Sequence, residues 1–347
     1  MNKQNILALA LKPAIRVTES VGIGIVLMLT AAVIAMITPS AASASSPCPG
    51  PTATRLVTGL EGAMGSTVGP DGALYVTEGA AGRISRVDPQ TGEKTTFASG
   101  LPPAIIGIGG AIDVAFIDNT AYVLVTLVND PLFPSSNVDG IYRVDGPDSF
   151  TVVADIGAFN LANPPTIQFP YFIATGLQYA LQTYRGGFLV ADSHLNRVLR
   201  VTLDGEISVL IPFDNIVPTG LAVRGNTVYM AEAGPDPHLP QNGKVVSFGA
   251  RSPTATEVAS DVPFLLDVEF GGGSLYALSH GTVDPNIDPS NAVAYTGALV
   301  KINEDGTFTH IVDGLDRPTS LEFIGNTAYV VTLTGEIWKI DGVSCPH

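Results

Sequence analysis

One short run of residues is written six times along this chain. Its plainest copy, residues 69–88, reads GPDGALYVTEGAAGRISRVD. Pro70, Asp71 and Gly72 supply a tight turn, because proline presets φ and glycine accepts a positive one. A β-rich run follows, then a short loop, then a run that alternates apolar and polar. The β-rich run recurs as LYVTE at 74–78, AYVLVT at 121–126, FLVAD at 188–192, VYMAE at 228–232, LYALS at 275–279 and AYVVT at 328–332. Each is followed by an alternating strand of the ISRV type, at 84–87, 141–144, 198–201, 245–248, 299–302 and 337–340. A preceding strand is read at 66–68, 113–117, 176–180, 220–223, 266–270 and 320–324.

A fourth strand closes five of the units, at 95–98, 151–154, 207–210, 256–259 and 308–312. The sixth unit has none, but residues 55–58 (RLVT) offer one from the other end of the chain. Radial repetition with an exchanged closing strand predicts an all-β, six-bladed β-propeller whose ring is closed by an N-terminal strand completing the last blade. The widest gap between copies holds residues 158–169, AFNLANPPTIQF. Pro164 and Pro165 argue for a long loop there and against a seventh blade.

Residues 1–44 stand outside the repeat. Lys3, Lys12 and Arg16 precede an apolar run over 21–38, and Ala42-Ser43-Ala44 offers a cleavage site. This is the pattern of a secretory signal peptide, with an uncleaved anchor as the alternative. The expected mature domain is residues 45–347, outside the cytoplasm and without a membrane span, and a monomer. The formal charge of the whole chain is −15, and loss of the leader leaves it two units more acidic. So acidic a chain has no basic patch for nucleic acid or anionic lipid. Cys48 and Cys345 are the two cysteines. In an exported propeller they flank the closing strand and its partner, which predicts a disulfide at the seam of the ring.

The connections are unequal. Turns between first and second strands are uniformly short, whereas loops on the other face reach 127–140, 156–171, 233–244 and 280–297. Long loops on a rigid scaffold carry function, so this face is the expected binding face. Three of the five histidines, His194, His238 and His280, fall just after second strands of consecutive blades and so on that face. Glu78, Asp192, Glu232 and Asp236 lie near them as candidate ligand-binding groups. Imidazoles with carboxylates suit a divalent metal such as zinc, or calcium with more oxygens, and a histidine alone suits acid–base work. The alternative for each is a solvated loop residue. Asp284, Asn286 and Asp288 have the spacing that opens a calcium loop but lack its glycine and distal glutamate, which favours a plain acidic turn. Glu269 and Glu322 alternate with apolar neighbours, so one side of their strands is expected to be wet. No G-x-S-x-G, H-E-x-x-H, C-x-x-C or phosphate-binding glycine loop is present.

Two resemblances reach these residues. Residues 190–205, VADSHLNRVLRVTLDG, resemble an NHL-type propeller repeat, with Asp192, Asn196 and Arg197 at matching places. Across nearly the whole mature chain, GPDGALYVTE at 69–78, VPTG at 217–220, AEAGPDP at 231–237 and GLDRPTSLEF at 314–323 resemble the ScyD/ScyE family of secreted propellers named for scytonemin biosynthesis. The chain departs from that pattern at Phe172, where a glycine is usual, and in the short loop at 79–82. The resemblance implies export and a propeller, not a reaction. The expected function is binding of a small molecule, glycan or envelope protein on the loop-rich face. The alternative is a metal-dependent hydrolase or lyase, of the gluconolactonase or peptide-amidating kind, with its site at the central channel.

Overall fold

The computed structural model describes residues 50–166, 173–249 and 252–343. The leader segment, Cys48 and Cys345 lie outside the described residues. Six four-stranded antiparallel sheets follow one another along the chain. Their innermost strands are Ala63–Val68, Gly110–Ile117, Gln178–Tyr184, Pro218–Arg224, Leu265–Gly271 and Pro318–Ile324. Each packs against the next, and the sixth packs against the first, so the ring is closed. The closing strand is Thr52–Val57, paired antiparallel with Ile337–Asp341 as the outermost strand of the sixth blade. The six-bladed propeller with N-terminal closure is thus the observed architecture.

The core lies between blades. Alternation within each strand turns apolar side chains to both sheet faces, and neighbouring blades bury them together. Tyr75 of the first blade meets Phe97 edge-on at 4.9 Å and Phe116 of the second blade at 4.8 Å. Such pairs add about 0.5–1.5 kcal/mol to the area they bury.

Two local details differ from the sequence reading. The innermost strand of the third blade begins at Gln178, not at Gly176, because Gly176 takes φ +77° and turns the chain before the strand starts. The run at 158–169 is not all loop: Ile156–Ala162 is a helix of two turns. Asp155 caps it, accepting the Ala158 amide at 2.7 Å, and Pro164 stands just beyond its end.

One irregularity is repeated in every blade. Each innermost strand carries a bulge near its loop-bearing end, at the steps 63/66, 111/113, 178/180, 218/221, 265/267 and 318/320. A bulge re-aims the side chain it leaves unpaired. Met64, Tyr179, Thr219, Leu266 and Thr319 occupy these positions and point into the mouth of the ring.

A candidate small-molecule site at the mouth of the ring

A second repeated device builds the rim. In five blades the residue after the second strand gives its amide to the residue before the innermost strand: Gly79 to Gly62, Ser193 to Leu177, Ala233 to Val217, His280 to Phe264 and Leu333 to Arg317, all at 2.9 Å. The acceptor is often left-handed. Gly62 does this without strain, but Val217 (φ +52°), Phe264 (φ +47°) and Arg317 (φ +48°) carry side chains there. A β-branched residue at positive φ is disfavoured by sterics and persists where surrounding structure holds it. Val217 and Phe264 both line the cavity at the mouth.

That cavity has a volume of about 480 Å³. His194, His238 and His280 all line it, so three blades deliver their histidines to one place. Phe264 holds two of them: His238 stacks on it at 3.8 Å and His280 meets it edge-on at 4.8 Å. Tyr179 forms part of the floor. Its hydroxyl crosses from the third blade to donate to the Thr319 carbonyl of the sixth at 3.1 Å.

Most polar groups of the cavity are already spent. Thr219 donates to the Leu265 carbonyl at 2.8 Å and Thr319 to the Met64 carbonyl at 2.8 Å, tying adjacent blades. Ser193 donates to the Pro218 carbonyl at 2.5 Å. His280 is buried, with Nδ1 on the Pro318 carbonyl at 3.0 Å and Nε2 on the Asn291 carboxamide at 2.9 Å. His238 places Nδ1 on the Gly234 carbonyl at 2.8 Å. A carbonyl only accepts, so Nδ1 carries the proton and Nε2 keeps a lone pair. His194 Nδ1 is buried without a partner. An orphaned N–H is the costlier choice there, so its proton belongs on Nε2. His238 is therefore an acceptor and His194 a donor. Burial depresses all three imidazoles, His194 to about 4, although the backbone carbonyls at His238 and His280 pull the other way. Burial therefore leaves His194 and His238 neutral at neutral pH.

The four carboxylates picked out by sequence are placed elsewhere. Glu78 is fully buried and receives Arg83 at 2.7 Å, Ser85 at 2.5 Å and the Glu61 amide at 2.6 Å. Burial raises its pKa, but these bonds outweigh it and the net shift is downward. Asp192 is also fully buried, held by Arg197 at 2.9 Å, Gln178 at 2.9 Å and Asn160 at 3.1 Å, and for it burial wins and the pKa rises. Glu232 faces Lys244 across the ladder, but that ammonium pairs with Glu257 at 2.6 Å, and burial lifts Glu232 to about 7. Asp236 is exposed. The first three lie at equivalent blade positions opposite a cation; Arg83 and Arg197 account for Glu78 and Asp192 without a ligand, whereas the cation opposite Glu232 is taken by Glu257. None of the four lines the cavity.

The donor set does not fit a resident divalent ion at the histidines, because His280 has no free nitrogen and each of the other two offers one at most. Among the described residues no group of three His, Cys, Asp or Glu side chains is placed to hold a metal. Below Tyr179 a separate cavity of about 250 Å³ runs down the channel, lined by Asp113, Asp267, Glu269 and Glu322. Asp113 accepts the Leu181 amide and Asp267 the Leu321 amide, each at 2.7 Å, so both tie adjacent innermost strands. Burial raises all four carboxyls, Asp267 to about 7, and the other three carboxylates push Glu322 further. Glu269 and Glu322, whose strands were expected to have one wet side, both line this cavity.

No protein-family model matches the chain, and no curated protein matches it. Solved structures do. A gluconolactonase from Xanthomonas campestris superposes with TM-score 0.57 at 13% identity, over 83% of this chain and 89% of that one. The PQQ-bound aldose sugar dehydrogenase of Streptomyces coelicolor gives 0.54 at 16%, over 85% and 99%. A catalytically inactive histidine-to-alanine variant of the virginiamycin B lyase of Staphylococcus aureus, with quinupristin, gives 0.51 at 14%, over 84% and 98%. At such identities the likeness is one of fold.

Proposed function

We propose that this protein binds a small, neutral, predominantly apolar molecule in the cavity at the loop-bearing mouth of its ring. The observation that carries the proposal is the convergence of His194, His238 and His280 on one apolar cavity, where His194 and His238 keep hydrogen-bonding capacity after the neighbouring hydroxyls are spent. An apolar lining with a few convergent polar groups is the usual make-up of a small-molecule site. A glycan is a poorer fit, because the hydroxyls and carbonyls around the cavity are bonded to one another. The ScyD/ScyE resemblance and the leader support a role outside the cytoplasm.

The test uses the neutral dye N-phenyl-1-naphthylamine, whose emission rises in apolar surroundings. One dye should bind per chain. Replacing Phe264 by glycine suits the backbone there and removes a large apolar wall, worth about 1.5–3 kcal/mol when fully buried. Phe264→Gly should therefore weaken dye binding at least tenfold, and His310→Gln on an outer strand should not. Equal binding by Phe264→Gly overturns the proposal.

A second reading, acid–base chemistry on the bound molecule, is favoured by one feature. His238 has its Nδ1 proton fixed on Gly234 and a neutral ring, the arrangement of a general base acting through Nε2. Lyase and lactonase names among the fold neighbours point the same way. A turnover lost in His238→Gln with dye binding retained would support it, and undiminished turnover in that variant would refute it.

A further inference from the structure

Ten large apolar side chains are exposed among the described residues. Scattered exposed apolar residues are ordinary, but these are not scattered. Seven stand on connections of the cavity face, Leu161 on the short helix there and the others on loops, and only Val152, Leu203 and Val209 stand elsewhere. Four crowd one side of the rim: Ile105 (46% exposed), Ile106 (43%), Leu132 (74%) and Leu161 (50%). Their loops adjoin, since Ile108, Phe133 and Phe159 from the same three loops pack on one core cluster. This side of the rim is almost free of charge. Residues 100–109 and 156–166 contain no Asp, Glu, Lys or Arg, the intervening loop holds only Asp130 and Asp139, both buried, and the one exposed charge at the edge is Asp155, the cap of the helix. Ile106 also lines the cavity, so the exposed patch runs into the site.

We infer that this rim docks on a neutral lipid surface, from which the cavity takes a lipophilic ligand. The inference rests on the cavity reading for the ligand's destination, but the docking is tested separately. The occupant follows from shape and charge. The apolar side chains project from separate loops around an opening, which suits a fluid phase. A protein or a second copy seated on the rim would seal the site. The remaining loops carry exposed Glu61, Asp214, Asp236 and Asp261, and Arg317 is engaged by Asp316 at 2.8 Å, so an anionic membrane is repelled. Docking on zwitterionic lipid by apolar insertion is nearly independent of salt.

The experiment is co-sedimentation of the protein with phosphatidylcholine vesicles, using the triple variant Ile105→Asp, Leu132→Asp, Leu161→Asp. None of these residues lines the cavity. The protein should sediment with the vesicles at low and high salt alike, and the variant should lose at least tenfold in partitioning. Added anionic lipid should weaken binding. The variant should take up N-phenyl-1-naphthylamine from lipid-free solution unchanged, which also shows that it folds. No sedimentation of the unsubstituted protein, or equal sedimentation of the variant, overturns the docking while dye uptake leaves the cavity reading standing. A dimer in lipid-free sedimentation velocity that the variant dissolves, without vesicle binding, assigns the rim to a second copy and also overturns it.

Discussion

Replacing Asp192 by alanine should cost this protein about 3–5 kcal/mol of folding stability, the usual penalty for breaking one side of a buried ion pair. Asp192 has no exposed surface and the Arg197 side chain keeps 5% of its own. Without the carboxylate, Arg197 still reaches the Asn160 side chain at 2.7 Å and the Asn163 carbonyl at 2.8 Å, but its charge is uncompensated. The Gln178 and Asn160 amides each lose an acceptor as well. Yet burial raises Asp192 despite Arg197, so the pair does not fully offset its own desolvation. The double variant Asp192→Ala, Arg197→Met removes both charges. It should be more stable than the sum of the single costs implies, by roughly 2–3 kcal/mol. Urea unfolding followed through Trp338, the one tryptophan and half-buried in the sixth blade, measures all three variants. The exposed pair Arg143–Asp145, at 2.6 Å, is the control, where truncation should leave the unfolding midpoint nearly unmoved. An Asp192→Ala variant within 1 kcal/mol of the unsubstituted protein (about the cost of a surface pair), or strictly additive costs, would refute the reasoning.

Other consequences follow from the same geometry. His194 is held to about 4 against an ordinary 6.5, so between those values the unfolded chain takes a proton that the folded one refuses. Stability should fall as pH drops through that window, by about 3 kcal/mol in total, and His194→Gln should lose this slope in urea titrations at stepped pH. The channel carboxyls act with the opposite sign. Folding raises Asp267 to about 7 and Glu269 to about 8, so the folded state holds protons that the unfolded chain gives up, and stability is lost as pH rises from about 4 through 8. Glu269→Gln should therefore be more stable than the unsubstituted protein in alkaline thermal melts, and equal or lower stability there would contradict this. Val217→Gly should stay within about 1 kcal/mol in stability, because relief of roughly 1–2 kcal/mol of left-handed strain offsets glycine's entropy and the lost half-buried contacts. It should still weaken dye uptake, and a loss above about 2 kcal/mol would show that the backbone there is unstrained. Prolonged dialysis against EDTA should leave dye binding unchanged, and a loss restored by zinc or calcium would show that an ion holds the cavity together.

The ring was legible in the chain because each blade repeats its own turn and strand chemistry. Pro70-Asp71-Gly72 and Arg185-Gly186-Gly187 mark turns through rules local to a few residues, and the missing fourth strand of the last blade points to its replacement. The histidine positions were legible too, since His280 directly follows a second strand and His194 stands two residues after one. The role of the acidic residues was not. Glu78 and Asp192 sit where strand ends face the site, but which carboxylate meets a ligand and which meets Arg83 or Arg197 is decided by cross-strand register, and sequence spacing gives no distance. The bulges were equally hidden: Met64, Tyr179 and Leu266 look like ordinary strand residues, and only the register shift turns them into the cavity. Arg197, four residues before an alternating run ends and five after Asp192, was the available signal for the ion pair.

The central claim is that three blades present their histidines to one ligand. Imidazole ¹H–¹⁵N spectra recorded while N-phenyl-1-naphthylamine is titrated in test it most directly. The account predicts that the resonances of His194, His238 and His280, assigned by single substitutions, shift together and saturate with the dye signal, while exposed His310 stays still. Saturating dye emission with all three resonances unmoved would contradict it.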